Sequence, residues 1–340
     1  SIGVDKKKNK AGKIILIIVA CILGVALLFV LGVRAYFRIP VAEYYKNSNR
    51  AFVIPGLNDG MTHQGLAYND GEFFITGYRS DGEASQVSIV SAESGKEVKR
   101  VSLLDKNGEK FLGHVGGITV WENYVYVADS DGLVVYSLGD FNAAKDGGTV
   151  TAKGIFSTKT ESDKLGVAFT HAENGSVYVG EFYREANYPT PDSHKVKTAA
   201  GDSNPALILE YKLDSTAEFG ISDKVTAAYS IPGLVQGMCF DNSGRFCLST
   251  SYATAFSHVY IYNEPARQGD ISVFGQIVPL YVLDSSNLKT DVKLAPMSEE
   301  IVFVDGKIYT MCESATNKYI FGKFTSAKYC YATDLSKYDK

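Results

Sequence analysis

One short phrase recurs five times along this chain of 340 residues, and it constrains the fold more than any other feature. Each copy consists of an apolar run, a tight turn and a second apolar run, which is the pattern of a β-hairpin. The copies begin at Gly65, Gly117, Gly166, Gly237 and Glu300. Because repeats of this kind stack into arrays that share one core, the chain is predicted to form a propeller or a solenoid.

Further strand signals follow each hairpin. In the first unit, Gln86–Val90 and Val98–Leu104 flank a turn, so the unit contains four antiparallel strands, here named A to D in chain order. Four such strands make one propeller blade. The C and D strands predicted for the next three units are Val134–Ser137 and Thr149–Phe156, Ala206–Tyr211 and Val225–Ile231, and His258–Asn263 and Leu280–Leu283.

The fifth unit lacks a D strand after its C strand at Tyr329–Asp334, and the N-terminal part of the chain supplies a candidate. Residues 51–61 resemble residues 228–238, which form the predicted D strand of blade three and its connection to blade four. Residues 51–55 are therefore predicted to complete blade five, and this closure removes two exposed sheet edges. The predicted fold is all-β: a five-bladed β-propeller of four-stranded antiparallel blades.

The N-terminus carries a second strong signal. Ile14 to Val33 is an apolar run without a charge, long enough at about 1.5 Å per residue to cross a hydrocarbon core of about 30 Å. A cleaved signal peptide is the alternative, but its apolar core is shorter. Five lysines precede the run, so a single-pass protein with a cytoplasmic N-terminus is expected. The predicted regions are a basic tail (1–13), an anchor (14–33), a juxtamembrane linker (34–50) and an ectodomain outside the membrane (51–340).

The charge is divided unevenly between these regions. Residues 1–38 carry a net charge of +6, whereas the remainder carries −10. An acidic ectodomain argues against nucleic acid and anionic lipid as partners. Cys239, Cys247, Cys312 and Cys330 match no zinc spacing. Buried free thiols and a single Cys312–Cys330 disulfide both remain open at this point.

The resemblance to known families is at the level of the fold. The repeats resemble those of YVTN/NHL-type and other short-repeat bacterial β-propellers. Five-bladed rings are similar to tachylectin-like lectins and to calcium-dependent apyrases. The segment 297–309, Met-Ser-Glu-Glu-Ile-Val-Phe-Val-Asp-Gly-Lys-Ile-Tyr, resembles an apyrase repeat. The apyrase calcium site is not carried over, because glycines stand opposite Glu300 in the other copies.

Propeller geometry predicts where a ligand would bind. Residues just before strand A and at the end of strand B converge on one face, where they would line a funnel around the axis. The candidate ligand-binding residues are His63, Gln64, His114, Asp129, Glu181, Tyr183, Gln236, Tyr252, Glu299 and Glu313. The B–C connection of blade three, Tyr183 to Pro205, is the longest and is either a lid over this funnel or a decoration.

Two functions are compatible with these features. The first is a membrane-anchored module that binds an extracellular glycan, peptide or envelope protein. It follows from the anchor, the closed ring and the lack of a local catalytic motif. The second is a metal-assisted hydrolase or lactonase, in which a divalent cation such as calcium is held by the funnel carboxylates and histidines. No catalytic residue is assigned, and no cofactor is required by the first function.

Overall fold

The computed structural model describes residues 2–325 and 327–338, with side chains from residue 9 onward. The side chains of Lys6, Lys7 and Lys8 in the predicted basic tail, and the last two residues of the predicted ectodomain, lie outside this description. The described chain consists of an N-terminal helix and a five-bladed β-propeller. The predicted fold class is therefore confirmed.

The helix α1 (Ile2–Arg38) includes the whole apolar run, whose side chains are exposed except that of the half-buried Val33. Within the described residues, one helix is long and apolar enough to cross a membrane. A 3-10 turn (Ile39–Val41) and α2 (Ala42–Lys46) follow. Buried Val41 and Tyr44 pack in the apolar cluster that fills blade five, so the helical segment is joined to the propeller by a packed connection.

The propeller ring closes as the repeat predicted. Strand β1 (Ser48–Val53) pairs with the last strand of the chain and is the D strand of blade five, three residues earlier than expected. Around the axis, the A strands of the five blades contact one another in sequence, and the fifth returns to the first. Apolar clusters fill the spaces within and between neighbouring blades.

Blade one contains the four predicted strands and a fifth. Its strands in chain order are β2 (Met61–Asn69), β3 (Glu72–Arg79), β4 (Gln86–Ser91) and β5 (Glu97–Leu104). The second unit of the repeat contains β6 (Ile118–Trp121), β7 (Tyr124–Asp129) and β8 (Gly132–Ser137), followed by the short helix α3 (Leu138–Ala143), β9 (Thr149–Thr151) and β10 (Gly154–Ser157). Of these strands, β9 is the fifth strand of blade one.

The predicted D strand of blade two, Thr149–Phe156, is wrong as a single strand. Its first half, β9, pairs in parallel with β5 of blade one, whereas β10 pairs with β8 as the D strand of blade two. The cause lies in the preceding turn: Ser102 N–H donates to Gly148 O, and Gly147 N–H donates to Arg100 O. These bonds hold the connection against blade one and cover its outer edge.

Blade three is extended by a hairpin from the next unit. Its strands are β11 (Phe169–Glu173), β12 (Ser176–Gly180), the two-residue pair β13 (Val196–Lys197) and β14 (Ser203–Asn204) in the B–C connection, β15 (Ala206–Leu213) and β16 (Ile221–Ile231). Blade four then supplies β17 (Val235–Phe240), β18 (Phe246–Thr250), β19 (Ser257–Tyr262), β20 (Ala266–Val273), β21 (Gln276–Val282) and β22 (Leu288–Leu294).

The D strand of blade four was also predicted in the wrong place. Residues 280–283 lie at and just after the end of β21, which turns back from β20 and pairs in parallel with β16 on the outside of blade three. The true D strand is β22, which pairs with β19. The hairpin between β20 and β21 turns at Phe274 and Gly275, both at positive φ, and Phe-Gly is not a recognisable turn signal.

Blade five consists of β23 (Val302–Val304), β24 (Lys307–Thr310), β25 (Tyr329–Asp334) and β1. Its B–C connection, between β24 and β25, is long and contains two 3-10 turns, Glu313–Ala315 and Ile320–Phe324. The four cysteines of the propeller are buried free thiols, so the Cys312–Cys330 disulfide is not formed.

Candidate functional site

A funnel of about 1270 Å³ opens at one end of the propeller axis. Its lining comes from the D–A connections, the first residues of A strands, the ends of B strands and the B–C connections, which is close to the geometry predicted from the repeat. Eight of the ten candidate residues line it: Gln64, His114, Asp129, Glu181, Gln236, Tyr252, Glu299 and Glu313. The structure therefore brings together in one cavity residues that lie up to 249 positions apart in the chain.

His63 and Tyr183 do not line the funnel. Successive side chains of an extended chain point to opposite sides, and the neighbours Gln64 and Phe182 are the ones that face the cavity. His63 is fully buried, and its Nε2 lies 2.7 Å from the carbonyl oxygen of Cys312. Because a carbonyl only accepts, Nε2 carries the proton, and burial lowers the pKa of His63 to about 4. Its ring is thus neutral, and its Nδ1 has no hydrogen-bond partner among the described residues.

Glu299 and Glu313 form a hydrogen-bonded pair at the funnel floor. Burial and the neighbouring Glu313 raise the pKa of Glu299 well above its ordinary value. Burial also raises the pKa of Glu313, but hydrogen bonds from Glu299, Gln64 and Tyr319 outweigh it and leave the pKa lowered. Two carboxyl groups this close share one proton, so Glu299 is the acid and Glu313 the carboxylate.

Aromatic rings lie near the Glu299–Glu313 pair and on the opposite wall of the funnel. Tyr78 stacks on His114 with ring centroids 4.7 Å apart, and its hydroxyl accepts a hydrogen bond from Lys318 at 2.8 Å. Across the funnel, Phe182 and Tyr188 make an edge-to-face contact at 5.3 Å. The funnel thus has two separate aromatic walls with polar groups between them.

The charges in the funnel nearly cancel. Glu299 holds a proton, Asp129 and Glu313 are matched by Lys164 and Lys318 in the same lining, and Glu181 is paired with His194 behind the wall. The surrounding propeller, by contrast, is strongly acidic. A cavity without a dominant charge favours an uncharged polar ligand over an ion.

The long B–C connection of blade three is fastened to the funnel wall by a buried histidine. His194 Nδ1 lies 2.9 Å from Glu181 Oε1, and its Nε2 lies 2.8 Å from Asp163 Oδ1. Both carboxylates also accept backbone N–H groups, from Leu207 and Phe274. Because both ring nitrogens face acceptors, His194 is the doubly protonated donor.

The pKa of His194 follows from this arrangement. Burial lowers it, but the hydrogen bonds and charges of Glu181 and Asp163 outweigh burial and raise it. For Glu181, burial raises the pKa and the His194 hydrogen bond lowers it. The connection places Asn187, Tyr188, Pro189, Thr190 and Pro191 in the funnel lining, so it forms part of the funnel wall. This connection, Tyr183 to Pro205, is named the lid.

Glu300 occupies the centre of the ring, one residue beyond Glu299. Its carboxylate accepts N–H groups from three other blades: Oε1 from Leu66 at 3.0 Å and Ile118 at 2.8 Å, and Oε2 from Thr170 at 3.0 Å. A Cβ at Gly117 would lie 2.4 Å from Glu300 Oε2. Gly117, one of the glycines that stand opposite Glu300 in the repeat, therefore makes room for this carboxylate, which joins the inner strands.

The D–A connections that feed the funnel contain left-handed backbone at residues other than glycine. Val115 has φ of 55°, Leu234 of 67° and Met297 of 66°, each shortly before an A strand. Such a conformation costs about 1–2 kcal/mol per residue. Backbone of this kind is concentrated at functional sites, where the surrounding structure holds it in place.

Several funnel residues were not among the ten candidates. Lys318 and Tyr319 come from the B–C connection of blade five, and Tyr188 comes from the lid. The rule that B–C connections face the funnel could have identified them. His194 and Asp163 had no such signal, because their pairing depends on the path of the lid.

The described residues provide no set of metal ligands for the metal-binding hypothesis. Within residues 2–325 and 327–338, no group of three or more His, Cys, Asp or Glu side chains is arranged to hold a metal ion. The Glu299–Glu313 pair is satisfied by a shared proton and by hydroxyl and amide donors, and Glu181 and Asp163 are satisfied by His194.

Comparisons with known proteins are consistent with these observations but do not extend them. No family model and no curated protein matches the chain. Among solved structures, it is similar to glutaminyl cyclase of Myxococcus xanthus (13% identity, TM-score 0.41, covering 84% of this chain and 94% of that one). It is also similar to a GH43_1 enzyme of Xanthomonas citri (11%, 0.42, 78% and 85%) and to BamB of Moraxella catarrhalis (8%, 0.33, 75% and 83%). At these TM-scores the similarities carry no functional argument, and the resemblance to YVTN/NHL-type repeats gains no support.

Proposed function

We propose that this chain is a single-span membrane protein whose propeller lies outside the cytoplasmic membrane and binds a carbohydrate in the funnel. The observation that carries the proposal is the lining: aromatic walls at opposite sides of a charge-balanced cavity, with carboxyl and amide groups between them. The other ligand classes considered from the sequence, a peptide or an envelope protein, lack a comparable match.

The chemistry of a sugar ring explains the match. Its C–H faces pack against aromatic rings, and its hydroxyls donate to carboxylates and both donate to and accept from amides. Glu313 and Asp129 provide acceptors, whereas Gln64, Gln236 and Asn187 provide both functions. Specific sites of this size combine an apolar lining with a few placed polar groups in the same way.

The test is binding of the full chain, purified in detergent micelles, to an array of immobilised glycans. Tyr188→Ala removes one aromatic wall and is expected to weaken binding about tenfold or more. The matched control is Tyr68→Ala, which removes a partly exposed tyrosine from the opposite end of its blade. Binding to no glycan, or equal loss in both variants, would overturn the proposal.

A hydrolase acting in the same funnel is the second candidate, and the Glu299–Glu313 pair favours it. A protonated carboxyl beside a carboxylate supplies a general acid and a general base without a metal. Under this function, Glu313 would take a proton from a water that attacks a bond of the ligand, and Glu299 would protonate the leaving group. Glu313→Gln would then abolish hydrolysis while binding persists, and chelator would have no effect. A chelator-sensitive activity would instead support the metal-assisted hypothesis.

A further inference from the structure

The helix α1 meets the propeller on the same face that carries the funnel. Phe37, in the last turn of α1, stacks on Phe321 with ring centroids 5.6 Å apart and contacts Phe256 at 6.3 Å. Phe321 lies in the B–C connection of blade five, and Phe256 lies in that of blade four. Both connections also line the funnel, through Lys318, Tyr319 and Tyr252.

The distance between the anchor and this face is short. Val33, the end of the apolar run, and Phe37 are one helical turn apart, which corresponds to about 6 Å along the axis. No flexible linker separates them, because α1 is continuous to Arg38. If α1 spans a bilayer, the rim of the funnel at blades four and five lies at the bilayer surface.

Exposed apolar side chains extend this contact around the funnel. Among the described connections between β-strands, the large apolar side chains that are exposed are Leu112 (64%), Tyr188 (51%) and Ile320 (81%). They belong to the D–A connection after blade one and the B–C connections of blades three and five, so all three are on the funnel face. Because these three side chains are spaced around the funnel rim, one flat surface can contact all of them.

The part of this face next to the anchor is basic. The B–C connection of blade five carries Lys318, Lys323 and Lys328, and its one acidic residue, Glu313, lines the funnel. The B–C connection of blade one carries the exposed acidic residues Asp81 and Glu83, so the basic patch is confined to the anchor side of the face. Basic and aromatic groups beside exposed apolar ones are what a phosphate-bearing membrane surface attracts.

We infer that the funnel face lies flat on the bilayer, so that the funnel takes its ligand from the membrane surface. The inference rests on the anchor and the carbohydrate site of the proposed function. It narrows the ligand to the carbohydrate headgroup of a membrane-embedded amphiphile.

The experiment places a single tryptophan at three positions of the full chain, in a Trp121→Phe background. The protein is reconstituted into dioleoylphosphatidylcholine vesicles, with or without a lipid brominated in its acyl chains, which quenches nearby tryptophan. Ile320→Trp is the positive control, because the anchor alone brings this position to the bilayer. Ser243→Trp, in the A–B turn of blade four at the opposite face, is the negative control.

Leu112→Trp decides the question, because blades one and two lie across the funnel from the anchor. We expect it to lose at least about half of its emission, as Ile320→Trp does, while Ser243→Trp keeps its emission. Quenching at Ile320 alone would overturn the inference, since the propeller would then be tilted away from the membrane. Leu112 is exposed, so the substitution leaves the fold intact. Glycan binding in micelles involves no bilayer, so failure of the proposed carbohydrate site and failure of this orientation are distinguishable.

Discussion

Substitution of Glu300 tests whether one carboxylate holds the centre of the ring together. In Glu300→Gln, the side-chain oxygen can keep the N–H groups of Leu66 and Ile118, which share Oε1. The amide nitrogen then faces the Thr170 N–H, which donates to Oε2 in the native protein. Two donors oppose each other, and one buried N–H loses its acceptor, at a cost of about 1–3 kcal/mol.

Glu300→Ala removes the two oxygens that accept the three N–H groups and leaves a cavity on the axis, so its cost is expected to be about 3 kcal/mol or more. For a domain of this size, each kcal/mol lowers Tm by about 2 °C. The assay is thermal unfolding of the full chain in detergent, followed by near-ultraviolet circular dichroism. The expected order of Tm is native, then Glu300→Gln, then Glu300→Ala.

The neighbouring residue is a matched control. Burial raises the pKa of both residues, but Glu313 raises that of Glu299 further and makes it the protonated member of its pair, whereas the N–H groups of Ile118, Thr170 and Leu66 act to lower that of Glu300. A glutamine amide donates to Glu313 as the carboxylic acid does, so Glu299→Gln should change the free energy of unfolding by less than about 1 kcal/mol. If Glu299→Gln and Glu300→Gln lower Tm equally, the argument that Glu300 acts as an acceptor for three blades is refuted.

Three further predictions follow from the same contacts. Gly117→Ala should lower Tm by several degrees, because its Cβ would meet Glu300 Oε2 at 2.4 Å, whereas Gly166→Ala, in the next D–A connection with its nearest atom 3.8 Å away, should not; equal effects would contradict the packing argument. The pKa of His194 is raised, so its protonated form stabilises the lid. This contribution is complete below about pH 6.5 and is lost as the pH rises through the folded-state pKa. Trypsin cleavage after Arg184 or Lys195 should therefore accelerate at alkaline pH and in His194→Gln, while His258→Gln, which loses an exposed pair with Asp291, should leave it unchanged. Burial raises the pKa of the Cys239, Cys312 and Cys330 thiols, and Cys247 is also buried, so Ellman's reagent should reach these four only after denaturation.

The parts of the fold that were predictable from sequence depend on local signals. The A–B hairpins turn at Asn-Asp-Gly, Glu-Asn-Gly and Asp-Gly, and residues such as Asn174 and Gly175 do adopt the positive φ that these turns require. Ring closure was predictable because the first D strand repeats the phrase of another D strand. Each pair of A and B strands could be placed from the turn that joins them.

The outer strands depend on non-local pairing, and there the prediction failed. The strands β9 and β21 run parallel to D strands of other units, and nothing in their own composition distinguishes them from ordinary D strands. The true D strand of blade four, β22, alternates polar residues with few apolar ones and is partly exposed. It therefore gives a weaker strand signal than the hairpin that precedes it.

The candidate site could be predicted to within one residue at each strand end. The rule that strand ends converge selects a pair of neighbours, and alternation then decides which one faces the cavity. Gln64 and Phe182 face it, whereas His63 and Tyr183 do not. The position of Glu300 was recognised as unusual in the repeat, but its three partners lie in other blades and could not be read from its own sequence.

The distribution of buried ionisable groups supports the assignment of function to one face. Seven His, Asp or Glu residues are buried among the described residues. Asp241 and Asp284 cap tight turns by accepting N–H groups two residues on. The other five lie at the funnel end of the axis: His63, Glu181, His194, Glu299 and Glu300.

The stability of a propeller does not require buried ionisable groups to be concentrated at one end of its axis. Burying a charge costs free energy unless it is fully paired, and apolar residues of similar volume serve a core at least as well. Glu300 has a structural role, but the shared proton of Glu299 and Glu313 and the histidine-fastened lid contribute little that a fold requires. The carboxyl pair and the lid both border the funnel, which every blade helps to line. The strained D–A connections and the junction between α1 and the propeller lie beside it. Selection for a ligand at this face explains all of these features together, whereas selection for stability explains only Glu300.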